Sequence, residues 1–399
     1  STHCISSAAS DVYKRQLESC DSMLAQGGIC VLRDESDYDS YFEDTMRAGH
    51  YENRKESVDI MIRSSRDVIN DLLNFGVRFA KNPDGSLAYT REGAHSRPRI
   101  CFHEDITGKE ITTTLLSHVK KCSNVTILEY TTMTDILVDD GKCTGMVAET
   151  KEGETLHIHA DNTIMATGGI GGLYEHSTNF PILTGDACRI AKEHGVELEH
   201  MDYVQIHPTC LYSKKPGRSF LISESARGEG AVLLNHKGER FVNELLPRDV
   251  VTKAIQEEMK KEGVEYEWIS FAHVPKEIIL KHFPHIYEKC LEEGYDLLKE
   301  PAPIVPAQHY FMGGVHVNRD SATTMPNLYA VGETSCNGVH GKNRLASNSL
   351  LESLVFAKRA AVKIQNEEKG NEDHEFESNY HAALSLIHIS EPTRRVVIS

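Results

Sequence analysis

Apolar residues in the first part of the chain recur every three or four positions, which is the spacing of one face of an α-helix. Between Glu43 and Phe75 they fall at Val58, Met61, Ile62, Val68, Ile69, Leu72 and Leu73. This pattern predicts an amphipathic helix that ends at Gly76. The same reasoning predicts further helices at about 185–194, at 249–261 and at 349–361, the last one capped by Ser347 or Asn348.

Strand patterns fill the region after the first helix. From Val125 to Ala160, runs of β-branched residues are interrupted by Asp140-Gly141 and Glu152-Gly153, and such pairs are typical of tight hairpin turns. The stretch "NTIMATGGIGGLY" predicts a strand that leads into a glycine turn, and "NLYAVGE", residues 327–333, predicts another strand.

These patterns predict an α/β fold with a discontinuous main domain. Residues 201–309 show longer loops and little strand periodicity, so we interpret them as an inserted α+β capping lobe between the two parts of a Rossmann-like domain, 17–200 and 310–370. Residues 1–16 and part of 371–399 lack the patterning of the body, and we interpret both as non-native in origin.

Composition narrows the functional class. The 399 residues carry 43 Lys and Arg against 59 Asp and Glu, a net charge of −16, which argues against long-range attraction to nucleic acid or anionic lipid. The sequence has no apolar run of about 18 residues and no signal peptide, so we expect a soluble cytoplasmic protein that does not bind membranes.

The cysteines and histidines do not predict a metal site. Ten cysteines are scattered without a CxxC pair, which argues against a disulfide framework, a zinc ribbon and an iron–sulfur cluster. His157 and His159 share one face of a predicted strand, but no third ligand is evident, so we favour an exposed polar face. Neither a GxSxG elbow nor a GxxxxGK[ST] loop occurs, which excludes the acyl-transfer and P-loop motifs.

Two glycine turns and one helix start are candidate cofactor contacts. "AQGG" and "ATGGIGG" are weak signals singly, although glycines let backbone N–H groups approach phosphate oxygens or a flavin edge. A helix that starts near Ser349 directs its positive end toward the loop "HGKNRLASN" and can stabilise developing negative charge. A capped surface helix is the alternative interpretation.

Cationic side chains in glycine- or proline-marked turns predict an anion site. Arg248, Arg344, His207 and His309 all occupy such turns in an otherwise acidic chain. Each of them alone is typical of a structural side chain, but together they supply the local positive charge that an anionic substrate requires. The stretch "SESARGEG" adds Glu224 and Arg227, which also suit a simple salt-bridged turn.

The ordered motifs resemble one flavoprotein family, that of fumarate reductase, succinate dehydrogenase and L-aspartate oxidase. The resemblance covers residues 20–364 and rests on "SMLAQGGI", "TREGAHS", "ATGGIGG", "QIHPTCLY", "SESARGEGA", "PRDVV", "HYFMGGV", "LYAVGE" and "GVHGKNRLASNSLLE". It implies a Rossmann-like FAD-binding domain with an inserted capping domain.

Two positions make the chain most similar to the L-aspartate oxidase branch. Dehydrogenase members of the family attach FAD through a histidine five residues before the glutamine of "AQGG", whereas this chain has Asp21 there. The resemblance therefore implies non-covalent FAD. "TREGAHS" supplies Glu92, a carboxylate suited to the α-ammonium group that aspartate has and succinate lacks.

The resemblance also implies roles for individual residues. Substrate binding falls to His207, Ser223, His309, Arg344 and Gln205, and catalysis to Arg248, Glu92 and Glu224. Arg248 is the implied proton shuttle, with Glu224 or Asp249 as its relay partner. The implied FAD contacts are Ser22, Leu24, Ala25, Gln26, Gly27, Gly28, Asp186, Glu333, Ser349 and Leu350.

The implied activity is oxidation of L-aspartate to iminoaspartate with fumarate or O2 as acceptor, the first step of NAD biosynthesis, with quinolinate synthase as an implied partner. Two alternatives stay open: a soluble flavoenzyme like fumarate reductase or succinate dehydrogenase, and an inactive fragment that binds no FAD. A βαβ unit with GxGxxG should precede "SMLAQGGI". Because it is absent, we expect a sheet that lacks its central strand, and we expect Lys342 to add a cation near the flavin.

Overall fold

The computed structural model describes residues 4–7, 20–215, 217–368 and 396–398. In chain order, the described strands are β1 (Cys4–Ser7), β2 (Ile29–Cys30), β3 (Ile100–Cys101), β4 (Val125–Ile127), β5 (Thr131–Asp139), β6 (Lys142–Thr150), β7 (Thr155–His159), β8 (Asn162–Met165), β9 (Leu198–Glu199), β10 (Val204–Leu211), β11 (Phe220–Leu221), β12 (Val232–Leu234), β13 (Glu267–Ser270), β14 (Ala302–Phe311), β15 (Gly314–His316), β16 (Leu328–Ala330), β17 (Ser335–Cys336) and β18 (Val396–Ile398). The described helices are α1 (Tyr38–Ala48), α2 (Lys55–Asn74), α3 (Thr107–Val119), α4 (Asp186–Glu193), α5 (Glu224–Gly228), α6 (Arg248–Glu262), α7 (Lys276–His282), α8 (Pro284–Glu292) and α9 (Ser349–Glu368).

A parallel sheet organises the larger domain. Its strands lie in the order β16-β8-β1-β18-β4, and each neighbouring pair is parallel. Helices and parallel strands in one domain confirm the predicted α/β class, and the Rossmann-like sheet agrees with the expected fold.

The expectation of a missing central strand was wrong. Backbone groups of Cys4–Ser7 pair with β8, from Cys4 opposite Asn162 to Ser7 opposite Met165, and β1 also pairs with β18. β1 and β18, one from each end of the chain, thus both belong to the sheet. Parallel pairing uses backbone N–H and C=O groups, so it does not require a particular side-chain pattern. The non-native origin of the two ends stays a prediction, and residues 8–19 and 369–395 lie outside the described residues.

The single helix predicted between Glu43 and Gly76 is two helices. α1 ends at Ala48 and α2 begins at Lys55, because His50 and Tyr51 adopt left-handed backbone angles with φ of 58° and 59°. The break is fixed from outside by the N–H of Arg54, which donates to the Gly338 carbonyl at 2.7 Å.

The predicted hairpins are confirmed. β5, β6 and β7 form an antiparallel three-stranded sheet, and Asp139 lies opposite Lys142 across the first turn. Both turn residues, Asp140 and Gly141, have positive φ, which suits the twist of a two-residue hairpin. His157 and His159 are exposed on β7, as the polar-face interpretation predicts.

The inserted lobe contains more strand than its sequence suggests. A five-stranded antiparallel sheet in the order β11-β10-β14-β13-β12 forms its centre, and α5, α6, α7 and α8 lie in the same stretch of chain. β10 and β14 are largely buried on both faces, so they show none of the alternation that marks a half-exposed strand. β14 runs across the predicted lobe boundary at residue 309.

In the described ranges, no helix has both the length and the apolar content needed to cross a bilayer. The nine cysteines from Cys20 to Cys336 are all free thiols. Over the same described ranges, the structure has no group of three or more His, Cys, Asp or Glu placed to hold a metal ion.

Candidate active site

A cavity of about 410 Å³ is lined by residues of the larger domain and of the capping lobe, a size typical of small-ligand sites. Of the residues implied by the resemblance, the cavity wall includes Ser22, Leu24, Ala25, Gln26, Gly27, Gly28, Glu92, His207, Ser223, Glu224, Arg248, His309, Glu333, Arg344, Ser349 and Leu350. The folded chain therefore brings together side chains that are up to about 330 positions apart in the sequence.

The glycine turn that opens the motif series forms one wall. A 3₁₀ turn over Asp21–Leu24 precedes it, and the N-terminal turn of α3 supports it, since the Gly108 N–H donates to the Ala25 carbonyl at 2.9 Å. A Cβ at Gly27 would collide with the carboxylate of Glu92. Glycine is therefore required where the turn passes this acid.

Several features of the wall fit a flavin nucleotide. The second glycine turn lines the cavity with Ala166, Thr167 and Gly168, and α9 presents its first residues there. The N-terminus of this 20-residue helix favours negative charge. The buried Oε1 of Gln26 has no hydrogen-bond partner among the described residues. Asp21 occupies the position at which dehydrogenase members attach FAD through a histidine. One of its carboxylate oxygens accepts the N–H of Phe180 at 3.0 Å.

Glu333 lies in the same wall beside β14. Its Oε1 accepts the N–H of Phe311 at 2.9 Å. Burial, with a contribution from Asp21, raises the pKa of Glu333 to about 8. The carboxyl is therefore mostly protonated at neutral pH, so its second oxygen can donate a hydrogen bond to a ligand hydroxyl.

The two implicated histidines lie side by side as neutral rings. Their centroids are 5.1 Å apart in an edge-to-face arrangement, and burial together with Arg248 holds the pKa of His207 and of His309 well below the usual range. His207 Nδ1 accepts the N–H of Thr209 at 3.2 Å, so the proton resides on Nε2. That buried Nε2 has no partner among the described residues and is available as a donor to a ligand.

Arg344 is a buried cation with unused donors. Its guanidinium lies 4.5 Å from the ring centroid of Tyr310, and Nη1 donates to the Ser349 hydroxyl at 3.3 Å. Nε has no partner within the described part of the chain. Burial and the nearby Arg248 lower the pKa of Arg344 to about 10, so the group remains charged at neutral pH and requires an anion.

Arg248 opens α6 and pairs with a buried carboxylate. Its Nε donates to Glu224 Oε2 at 2.5 Å, and Arg227 Nη2 lies 3.6 Å from the same oxygen. Although burial acts to raise the pKa of Glu224, Arg248 and Arg227 lower it overall. Asp249, the other suggested partner, pairs at the surface with His50 at 2.9 Å. The geometry therefore favours Glu224.

Gln205 and Asp186 do not belong to the cavity wall. The Oε1 of Gln205 accepts Arg248 Nη1 at 2.9 Å, and its Nε2 donates to the Arg344 carbonyl at 2.8 Å. Gln205 thus joins the two arginines. Asp186 begins α4 and accepts the Thr184 hydroxyl at 3.0 Å. Their direct contacts with substrate and FAD stay predictions.

Glu92 is held between hydroxyl groups at the floor of the cavity. Oε1 accepts the Ser225 hydroxyl at 2.7 Å and Oε2 accepts the Ser347 hydroxyl at 2.5 Å. The side chain is 3 % exposed. Burial and the neighbouring Glu224 raise its pKa.

The structure adds residues that sequence reasoning did not name. Thr178 Oγ1 lies 2.7 Å from His309 Nδ1, and Arg218 Nη1 donates to the Thr178 carbonyl at 3.2 Å. Tyr310 lies within the quoted "HYFMGGV" motif, whereas Thr178 and Arg218 carry no local signal. Lys342, expected to add a cation near the flavin, is exposed, lies over Tyr203 at 5.7 Å and does not line the cavity, and its effect on the flavin stays a prediction.

Comparison with known proteins agrees with this geometry. The family described as "FAD binding domain" matches residues 12–350. An L-aspartate oxidase of Clostridium perfringens is 51 % identical over 356 residues, which cover 89 % of this chain and 81 % of the relative. That of Acinetobacter baylyi is 40 % identical over 368 residues, 88 % of this chain and 68 % of the relative.

Solved structures at lower identity share the fold. A quinol fumarate reductase of E. coli superposes with a TM-score of 0.84 at 28 % identity, covering 97 % of this chain and 73 % of that one. Sdh1 of Mycobacterium smegmatis superposes with a TM-score of 0.77 at 28 % identity, covering 96 % and 72 %. The chain therefore belongs to the FAD-binding domain family and, within it, to the L-aspartate oxidases.

Proposed function

We propose that this protein oxidises L-aspartate to iminoaspartate with non-covalent FAD and passes the electrons to fumarate or O2. One observation carries the proposal: Arg248, Arg344, His207 and His309 line the same cavity as Glu92. Cations and neutral imidazole donors suit two carboxylates, and a buried carboxylate suits the ammonium group between them.

The charges of the cavity match an amino dicarboxylate. Arg248 and Arg344 line the cavity, and Arg227, outside its wall, lies 3.6 Å from Glu224, so these three arginines supply positive charge of which Glu224 offsets one. Arg218 also lines the cavity, and Asp21 offsets its charge. A ligand with two carboxylates balances the remaining charge. With Glu92 ionised, the single ammonium group of aspartate completes the balance, and burial of the ligand then leaves no charge unpaired.

The residues that would hold FAD are the two glycine turns, Glu333 and the first residues of α9. When bound, FAD would supply the acceptor for the hydride that leaves Cα. The ammonium group gives up one proton as the C=N bond forms, and the buried Glu92 carboxylate, whose pKa is raised, can accept it. The chain's part is to orient Cα: Arg344 and the imidazole Nε2 of His207 fix carboxylate oxygens, and a fixed position replaces a search in solution.

Arg248 serves proton transfer when fumarate is the acceptor. An arginine has a pKa above about 12 in water, so it releases a proton only if a partner returns one at once. Glu224 is in contact with Arg248 and lies 3.6 Å from Arg227. Arg248 can pass a proton to the substrate carbon, and Glu224 is placed to return one to it.

The product's chemistry suggests its place in metabolism. An imine hydrolyses in water, so a consuming enzyme must use it quickly, and we propose quinolinate synthase and the first step of NAD biosynthesis for that role. We place this reaction in the cytoplasm, which is consistent with the free thiols among the described cysteines.

A soluble fumarate reductase or succinate dehydrogenase-like enzyme is the second candidate, favoured by the structural likeness to the quinol fumarate reductase. The donor separates the two. FAD-reconstituted protein should form succinate from fumarate with L-aspartate as donor, and hydrogen peroxide in air. Succinate oxidation with a dye acceptor at a rate equal to or above that with L-aspartate would favour the second candidate, and absence of bound FAD would support the inactive fragment.

A further inference from the structure

Glu92 is held from two parts of the molecule. Ser225 belongs to α5 in the capping lobe, whereas Ser347 lies two residues before the start of α9 in the larger domain. Each hydroxyl donates to a different oxygen of the Glu92 carboxylate, at 2.7 Å and 2.5 Å. Both oxygens are thus engaged, and the plane of the carboxylate is fixed by two points.

Each serine is itself fixed by the backbone. The N–H of Ser225 donates to the hydroxyl of Ser223, the N-cap of α5, at 3.2 Å. Ser347 has a left-handed φ of 60°, and its carbonyl accepts the N–H of Cys30 at 3.1 Å. A non-glycine residue in this conformation costs about 1 kcal/mol or more and persists where the surroundings impose it.

We infer that Ser225 and Ser347 form a hydroxyl clamp that aims the Glu92 carboxylate at the amino group of the substrate and so determines the preference for an amino dicarboxylate over a plain one. The inference rests on the proposed function. It assigns the two serines as positioning residues, since neither needs to touch the substrate.

The clamp also acts on the charge of Glu92. Burial and Glu224 favour the protonated acid, while the two hydroxyls and Arg248 favour the carboxylate. The described ionisable groups that act on Glu92 are Cys30, Glu224, Arg227, Arg248 and Arg344. Loss of a hydroxyl therefore moves the carboxyl toward its neutral form, which holds an ammonium group less strongly.

The test uses the FAD-reconstituted protein, reduced beforehand and kept anaerobic so that L-aspartate binds without being oxidised, and calorimetric titration with L-aspartate and with succinate. Ser225→Ala and Ser347→Gly each remove one hydroxyl, and glycine suits the left-handed backbone at 347. We expect the Kd for L-aspartate to rise roughly tenfold in each variant, since hydrogen bonds to charged groups are the stronger class. The Kd for succinate should stay within about twofold.

Two controls separate positioning from general damage. Ser225→Thr keeps the hydroxyl and should restore binding, and Ser270→Ala removes a buried capping-lobe hydroxyl, one that accepts the Ala272 N–H at 3.3 Å rather than contacting Glu92. The pH at which L-aspartate binding is half-lost on acidification should move upward in Ser225→Ala. In a Glu92→Gln background, Ser225→Ala should add no further loss.

Equal losses for L-aspartate and succinate, or an undiminished loss in the Glu92→Gln background, would overturn the clamp. So would unchanged L-aspartate binding in folded Ser225→Ala and Ser347→Gly proteins. Each of these outcomes is judged against an unmodified protein that binds L-aspartate. If the proposed function fails, the unmodified protein itself binds no L-aspartate, so the two failures can be told apart.

Discussion

At the scale of the residue, two buried nitrogens without a partner in the described part of the chain lie on groups that line the cavity. Arg344 and His207 each keep a buried nitrogen unpaired within the described residues, and both lie in one cavity with Arg248. A protein that folded only for stability would have no use for such groups, since each one costs desolvation free energy. These two groups therefore suit the anionic substrate that we propose.

Arg344→Lys tests this explanation. Lysine keeps the charge but lacks the planar donors that grip a carboxylate at two points, so we expect kcat/KM for L-aspartate to fall roughly hundredfold. Arg33→Lys is a matched control, because Arg33 is exposed over Tyr89. Steady-state kinetics would contradict the role if both variants retained the activity of the parent.

Glu92→Gln tests selectivity. The amide keeps the shape of the side chain and removes its charge, so L-aspartate oxidation should lose roughly a hundredfold in kcat/KM while fumarate reduction with a dye donor loses less than about threefold. Glu110→Gln, which breaks an ion pair with Arg78 outside the cavity wall, controls for charge loss. Equal losses for both substrates would remove the ammonium role of Glu92.

The sequence named most of the residues that line the cavity, but it did not predict which side chains contact one another there. Glycine turns, a helix start and clustered cations mark chemistry that depends on residue type, so Gln26, Arg344 and Glu92 were found. Thr178 and Arg218 reach the cavity only through tertiary packing and have no local pattern. The local sequence also does not show that the Lys342 side chain is exposed and outside the cavity wall.

At the scale of the element, elements with local sequence signals were predicted well. Features that depend on tertiary contacts were missed. The β5–β6 hairpin follows from Asp140-Gly141 and alternating residues. The break between α1 and α2 depends on a hydrogen bond between Arg54 and Gly338, which no local spacing encodes. β10 was missed because strands buried on both faces lack alternation.

Helix α9 carries a pH-sensitive acid in its first turn. Glu352 is 1 % exposed and accepts a hydrogen bond from Asn337; burial raises its pKa from 4.5 to about 7. The folded protein therefore keeps a proton that the unfolded chain has lost between these pH values. This contribution to the free energy of unfolding is full below pH 4.5 and is lost as pH rises to about 7, a change of about 3 kcal/mol.

Glu352→Gln removes that ionisation while it keeps the acceptor for Asn337. Denaturant unfolding of the FAD-free protein at about pH 5 and about pH 8 should show a smaller loss of stability in the variant than in the parent. An identical pH dependence of the two proteins would show that Glu352 does not titrate in this range.

At the scale of the whole molecule, the cavity depends on how the capping lobe sits on the larger domain. Asp105, which precedes α3, accepts the Ile286 N–H of α8 at 2.8 Å and lies 2.5 Å from His285 Nδ1. This carboxylate is buried and ties the two lobes together.

Asp105→Ala should loosen that junction. The Ile286 N–H loses its acceptor, which costs about 1–3 kcal/mol, so its amide hydrogen should exchange roughly tenfold faster or more. Asp161→Ala changes an exposed aspartate of the larger domain and serves as the control. Unchanged exchange at α8 in Asp105→Ala would exclude a latch at this position.

The most direct test of the central claim is anaerobic mixing of the FAD-reconstituted protein with L-aspartate or succinate while the flavin band near ~450 nm is followed. Our account predicts that L-aspartate bleaches the band and that succinate at the same concentration does so far more slowly. A bound flavin that stays oxidised with L-aspartate, or that both compounds bleach equally, would contradict a cavity built for an amino dicarboxylate.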